Sequence, residues 1–213
     1  MGKINQGILE GVSGQVGNVI GGTWKGIDYL RIKPSSVANP KTPDQVDQRT
    51  KFVTVLRFLQ PITEFLRTGF KKYASGMTQF NSAMSYNLLN AVTGTYPNFS
   101  IDYGSALVSK GNLTGALNPA VTSSSAGVVD FSWDNNTGSG NAQGTDKTLL
   151  VIYNPSKEQA VYETEGASRS VTSDSLAVPS DFSGDTVEAF IGFISEDGKQ
   201  IADSVYIGSV TVA

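Results

Sequence analysis

The spacing of apolar residues changes character twice along the chain. From position 11 to 33, Val16, Val19, Ile20, Trp24, Ile27, Tyr29 and Leu30 alternate with glycines at 11, 14, 17, 21, 22 and 26. β-Branched and aromatic side chains favour extended backbone, and glycines permit tight turns and close approach of a neighbouring chain. The stretch therefore predicts an extended, Gly-rich β arm. Pro34 and Pro40 then bracket a short extended linker, PSSVANP.

At residue 42 the period becomes helical. Thr42 is a suitable N-cap, Pro43 suits the first helical position, and Gln45 completes a capping box. Phe52, Val55, Leu56 and Leu59 recur at helical spacing, and Pro61 ends or kinks the helix. A second helical stretch is expected within residues 62–73. A third follows from Met77, Phe80, Met84, Leu88 and Ala91 at steps of three and four, with Gly94 placed to cap it.

From Leu113 onward the pattern is that of strands. Seven are expected: around Val121, and within GVVDFSW, TLLVIYN, QAVYET, SDSLAVP, TVEAFIGFI and ADSVYIGSVTV. Turn-forming segments separate them, among them DNNTGSGNAQGTD and SEDGKQ. Seven short strands within about 100 residues match a β-sandwich. Trp133, Tyr153, Phe190 and either Ile191 or Phe193 are expected to form one buried layer.

Composition narrows the chemistry. The chain has neither cysteine nor histidine. Disulfides, thiol chemistry, Cys- or His-ligated metal and any Ser-His-Asp arrangement are therefore excluded. No enzymatic activity, cofactor or metal is expected. The N-terminal residues MGKINQGILEG contain no long apolar run and no complete myristoylation motif, since Gln6 stands where Ser or Thr is needed. The expectation is synthesis in the cytoplasm without a signal peptide or membrane span, and a final place there or in an assembled particle or filament. Charge is uneven. Residues 1–101 hold eleven Lys/Arg and five Asp/Glu, a net of +6, whereas residues 102–213 hold five and fourteen, a net of −9. Such asymmetry predicts a two-part chain.

Two resemblances refine this layout. Residues 113–213, with Trp133 closing the second strand and a tight turn at Asp197-Gly198, resemble a fibronectin type III or immunoglobulin-like sandwich. The segments GVSGQVGNVIGGTWKGIDYLR, NPKTPDQ…QRTKF and FNSAMSYNLLNAVTG resemble, in that order, an uncharacterised family of Bacteroidetes-type bacteria and their mobile elements. That resemblance implies the domain layout and no catalytic residue. The expected fold is thus α+β in two parts. A Gly-rich β arm with helices occupies residues 1–101, and an all-β sandwich occupies residues 113–213.

Gly17 and Gly22 have Walker A spacing, but Thr23 occupies the lysine position. A better reading is a strand or hairpin whose apolar face is covered, either by this chain's own helices or by a neighbouring copy, with Val16, Ile20, Trp24 and Tyr29 as the candidate assembly arm. Lys25, Arg31, Lys33, Arg49, Lys51, Arg57, Lys71 and Lys72 form a candidate basic contact surface. It would serve an acidic protein partner more readily than a nucleic acid, because acidic residues interrupt it. The loop with Asp134, Asn136, Asn141 and Asp146 is rich in oxygen ligands, yet Gly138 and Ser139 break the EF-hand pattern. Glu163 with Glu165, and Glu196 with Asp197, read as solvated charges. The leading expectation is a self-associating structural protein of phage or mobile-element origin. The alternatives are a nucleic-acid-associated protein using the basic half and a surface or carbohydrate-binding module.

Overall fold

The computed structural model describes residues 2–3, 13–36, 39 and 41–213. Segment 4–12 and part of the expected linker, positions 37, 38 and 40, lie outside the described residues. The chain divides into two compact units, Met1–Gln45 and Val46–Ala213.

The first unit is an antiparallel sheet of β1 (Gly2–Lys3), β2 (Gly14–Val16), β3 (Val19–Trp24) and β4 (Ile27–Ile32), in the order β1-β4-β3-β2. Its glycines set the turns. Lys25 and Gly26 form a two-residue hairpin loop, both with positive φ (48° and 78°), as a type I′ turn requires. In the β2–β3 hairpin only the first loop residue, Gly17, has positive φ (57°), as a type II′ turn requires. Within the sheet, the Tyr29 side chain lies over Gly22, where an added Cβ would sit 3.1 Å from its hydroxyl.

The second unit holds α1 (Pro43–Leu59), α2 (Thr63–Gly69) and α3 (Gln79–Asn90). Pro61 sits in the 3-10 turn Gln60–Ile62 that separates α1 from α2. Thr78 caps α3, its hydroxyl accepting the Asn81 N–H at 3.1 Å. A hairpin follows, β5 (Val92–Thr95) and β6 (Asn98–Ile101). Then come β7 (Leu117–Thr122), β8 (Val128–Asp134), β9 (Lys147–Asn154), β10 (Gln159–Glu163), β11 (Ser173–Ala177), β12 (Thr186–Ile194) and β13 (Val205–Thr211). They form two antiparallel sheets, β11-β8-β7 and β10-β9-β12-β13.

Two buried clusters hold this unit together. Between the sheets lie Val129, Phe131 and Trp133 of β8, Leu150 and Ile152 of β9, and Ala189, Ile191 and Phe193 of β12. On the other face of the four-stranded sheet, Leu149, Val151, Tyr153 and Phe190 pack with Val55, Phe58, Leu59, Phe65 and Leu66 of the helices. β9 and β12 are thus covered on both faces, which is why each reads as a nearly continuous apolar run rather than an alternation.

Several expectations change. The helices do not form a unit with the Gly-rich arm. Their apolar stripe completes the core of the C-terminal sheets, so the units part between Gln45 and Val46 rather than between 101 and 113. The stripe runs through Val55, Phe58, Leu59 and Ile62, and Phe52 is 46% exposed. The expected single layer splits, because alternation along β9 and β12 turns Tyr153 and Phe190 toward the helices and Ile191 and Phe193 toward Trp133. Gly94 does not cap α3. The helix ends at Ala91, and Gly94, at φ 93°, sits in β5, where an added Cβ would meet the Asn98 carbonyl at 2.4 Å.

Candidate functional site

The N-terminal sheet carries the largest exposed apolar side chains that sequence reasoning singled out. Directly opposed residues of an antiparallel pair share a face. The register pairs Val16 with Val19 and Val19 with Ile32, so these three lie in one row on one face. Trp24 pairs with Ile27, and this pair lies on the opposite face with Ile20 and Tyr29. Val16 is 70% exposed, Ile32 77%, Trp24 53% and Ile27 48%. Ile20 and Tyr29 are half-buried. Val16 therefore does not share a face with Ile20, Trp24 and Tyr29. The Gly17–Asn18 turn intervenes and reverses the side that simple alternation assigns it.

No apolar residue of this sheet belongs to either buried cluster. Among the described residues, the buried core begins at Val55. A sheet of this size gains independent stability by packing a face, and this one offers apolar groups on both faces.

The candidate basic residues are divided between the units. Lys25, Arg31 and Lys33 lie in the N-terminal sheet or just beyond it, and Arg49, Lys51, Arg57, Lys71 and Lys72 lie on the helical segments. Three of the latter are already engaged, Lys71 by donating to the Gly198 carbonyl at 3.5 Å. Lys51 pairs with Asp47 at 2.8 Å and lies over the Phe99 ring at 5.0 Å, and Arg57 pairs with Glu158 at 3.3 Å.

The oxygen-rich loop 134–146 serves an internal cation. Arg169, fully buried, donates to Asp146 at 3.1 Å, to Asn136 Oδ1 and the Thr114 carbonyl at 2.7 Å each, and to the Gly115 carbonyl at 3.0 Å. Its guanidinium stacks on Phe193 at 3.7 Å, and its own carbonyl accepts the Trp133 indole N–H at 2.8 Å. Burial lowers its pKa and the Asp146 carboxylate opposes that shift. Asn141 is spent on Asn112, Thr114 and Gln200. No group of three Asp or Glu among the described residues is placed to hold a metal ion. Sequence reasoning missed Arg169. The signal available was indirect: a loop crowded with carboxamide and carboxylate oxygens needs a donor.

A cleft of about 480 Å³ lies beside this loop, lined by Asn141, Gln143, Asp146, Glu196, Asp197 and Gln200 among others. Asp197 sits well below the usual carboxylate range because the Ser195 hydroxyl donates to it at 2.6 Å, reinforced by the Lys199 N–H. It caps its own turn. Glu163 likewise accepts from the Thr164 and Glu165 N–H groups.

Comparison with known proteins gives a family and one weak structural likeness. A family of unknown function, DUF6266, matches residues 11–208. The chain belongs to that family. The match spans the Gly-rich sheet, the helices and the C-terminal strands together. No curated protein matches. Among solved structures, the fn3 domain of the human collagen alpha-1(XX) chain is similar at 13% identity and a TM-score of 0.36, over 49% of this chain and 90% of that one. No helix among the described residues is long and apolar enough to cross a membrane.

Proposed function

We propose that this DUF6266 member is a non-enzymatic structural protein that self-associates, and that the N-terminal sheet is its assembly module. The observation that carries this reading is the sheet's pair of exposed apolar clusters, Val16 with Ile32 and Trp24 with Ile27, in a unit none of whose described residues belongs to a buried cluster. Contiguous exposed apolar groups mark contact surfaces, and a small sheet without a covering layer gains most from acquiring one. The second unit, by contrast, holds both buried clusters.

The C-terminal body is read as a fibronectin type III-like sandwich on its own connectivity. Of its seven strands, the first, second and fifth form one sheet, and the third, sixth and seventh form the other with the fourth beside the third. Immunoglobulin-like sandwiches distribute their strands in this way. The nucleic-acid reading is weaker because Lys51 and Arg57 are already paired with carboxylates.

Light scattering of the purified full chain over a range of concentrations tests the proposal. The expected mass exceeds that of one chain and rises with concentration. A single-chain mass at every concentration overturns it.

A further inference from the structure

The sheet has two edges, and they are not alike. β2 pairs with β3 on one side, and no described strand pairs with it on the other. Exposed edges are normally blunted by proline, charge or a bulge. The body's edge strands carry such devices. β7 has Pro119 and a register shift, β13 lies across a register shift and holds Gly208 at φ 130°, β11 carries Asp174, and β10 ends on Glu163. β2 is Gly-Gln-Val, fully exposed; it has no proline, charge or register shift, and only Gly14 at its first position, at φ 96°, departs from extended backbone.

The phase of its hydrogen bonds is fixed by the turns. A two-residue hairpin loop makes the flanking pair, Val16 and Val19, the hydrogen-bonded one, so the next pair, Gln15 and Ile20, is not bonded. The β3–β4 ladder agrees. Lys33 N–H donates to the Asn18 carbonyl at 2.7 Å, and alternation from that bonded pair makes Ile20 and Arg31 bonded as well. The Ile20 backbone is therefore committed to β4. The Gln15 N–H and C=O point outward from the open edge.

We infer that two copies of this chain pair antiparallel through their β2 edges, with a two-fold axis at Gln15 opposite Gln15, forming one continuous eight-stranded sheet. This inference rests on the self-association reading and specifies its contact. Three features select a second copy as the occupant. First, the outward N–H and C=O of Gln15 are self-complementary about a dyad. Second, in that register Val16 lies opposite the second copy's Gly14. The row Ile32, Val19, Val16 then continues into the second copy's Gly14, Gly21 and Leu30, so large side chains on one copy meet glycines on the other. Third, β2 and β3 carry no charged residue. The nearest charged side chain in the row through the dyad is Arg31, on β4. At a strand spacing of about 4.8 Å the two Arg31 residues would lie about 24 Å apart, beyond a screening length of ~8 Å in physiological salt.

The chain's lack of cysteine provides a direct test. Dyad-related residues in a bonded antiparallel pair have Cα atoms about 5.5 Å apart, within disulfide reach. Full-length Gln15→Cys is expected to give a covalent dimer under mild oxidation, whereas Thr23→Cys, exposed on β3 opposite Asp28 of β4 and away from the proposed dyad, is expected to stay uncross-linked. Gln15→Lys is expected to weaken association at low salt and to recover it at high salt, because it sets two ammonium groups opposite each other. If Gln15→Cys cross-links no better than Thr23→Cys and Gln15→Lys associates normally, the edge pairing is wrong. Should the unsubstituted chain still associate by light scattering in that case, only the edge assignment fails. A chain that is monomeric throughout removes the self-association reading as well.

Discussion

Phe58 joins the helices to the sheets, and truncating it measures whether they are one cooperative unit. Its side chain is 1% exposed. Its ring lies 5.1 Å from Tyr153, 5.7 Å from Tyr103 and 6.0 Å from Phe190, so one α1 residue touches both central strands of the four-stranded sheet and the segment after β6. Phe58→Ala removes a fully buried ring, for which about 3–5 kcal/mol is the usual cost of lost transfer and the cavity left behind. In a unit of this size each kcal/mol lowers the melting temperature by about 2–4 °C, so the expected fall is about 6–20 °C. The assay follows two signals in a Trp24→Phe background, helical circular dichroism and fluorescence of the remaining Trp133. Trp133 lies in the other core, between the sheets. Both transitions are expected to shift together. If helicity melts early while Trp133 emission keeps its parental midpoint, the helices are a separate unit and the shared core is refuted.

Other expectations follow from single contacts. Arg169→Ala leaves Asp146 buried without its cation, and loss of one partner of a buried pair costs about 3–5 kcal/mol; denaturant unfolding measures it, with Lys199→Ala, an exposed ion-pair partner, as the near-neutral control. Gly111→Ala places a Cβ 1.9 Å from the Ile201 carbonyl, backbone against backbone, and is expected to lower the melting midpoint measurably where Gly138→Ala, open around its Cβ, costs only its turn strain. Burial pushes the Tyr153 and Tyr206 hydroxyls up to about 12, with Glu158 adding to the shift at Tyr153 and a hydrogen bond to Glu188 adding to it at Tyr206. Because the folded pKa exceeds the unfolded value near 10, their stabilising effect is full below pH ~10 and is lost as pH rises toward ~12. Urea midpoints should fall across that window, and Tyr153→Phe with Tyr206→Phe should flatten the fall.

The seven C-terminal strands were legible because each apolar run is bounded by turn residues, and their observed places match. The division of the chain was not. An amphipathic helix and a two-sided strand each show an apolar surface, but neither shows which surface covers it. Net charge also misleads, since it describes exposed side chains and the boundary is set by buried ones such as Phe58 and Phe190. The hairpin at 92–101 escaped notice because VTGT and NFSI are short and carry few apolar residues. In the N-terminal sheet, the exposed Val16 and Trp24 could be named, but Ile20 and Tyr29 are half-buried and the face of Val16 depended on the position of one turn. Arg169 was invisible because a lone arginine in a polar loop looks solvated until the fold closes around it.

The most direct test of the central claim compares the full chain with a chain beginning at residue 41 by sedimentation. Both cores lie between Val55 and Val212, so the shortened protein is expected to remain folded. The account predicts an associating full chain and a shortened chain that melts like the parent body yet sediments as a monomer at every concentration. A shortened chain that still associates as strongly as the full one contradicts it.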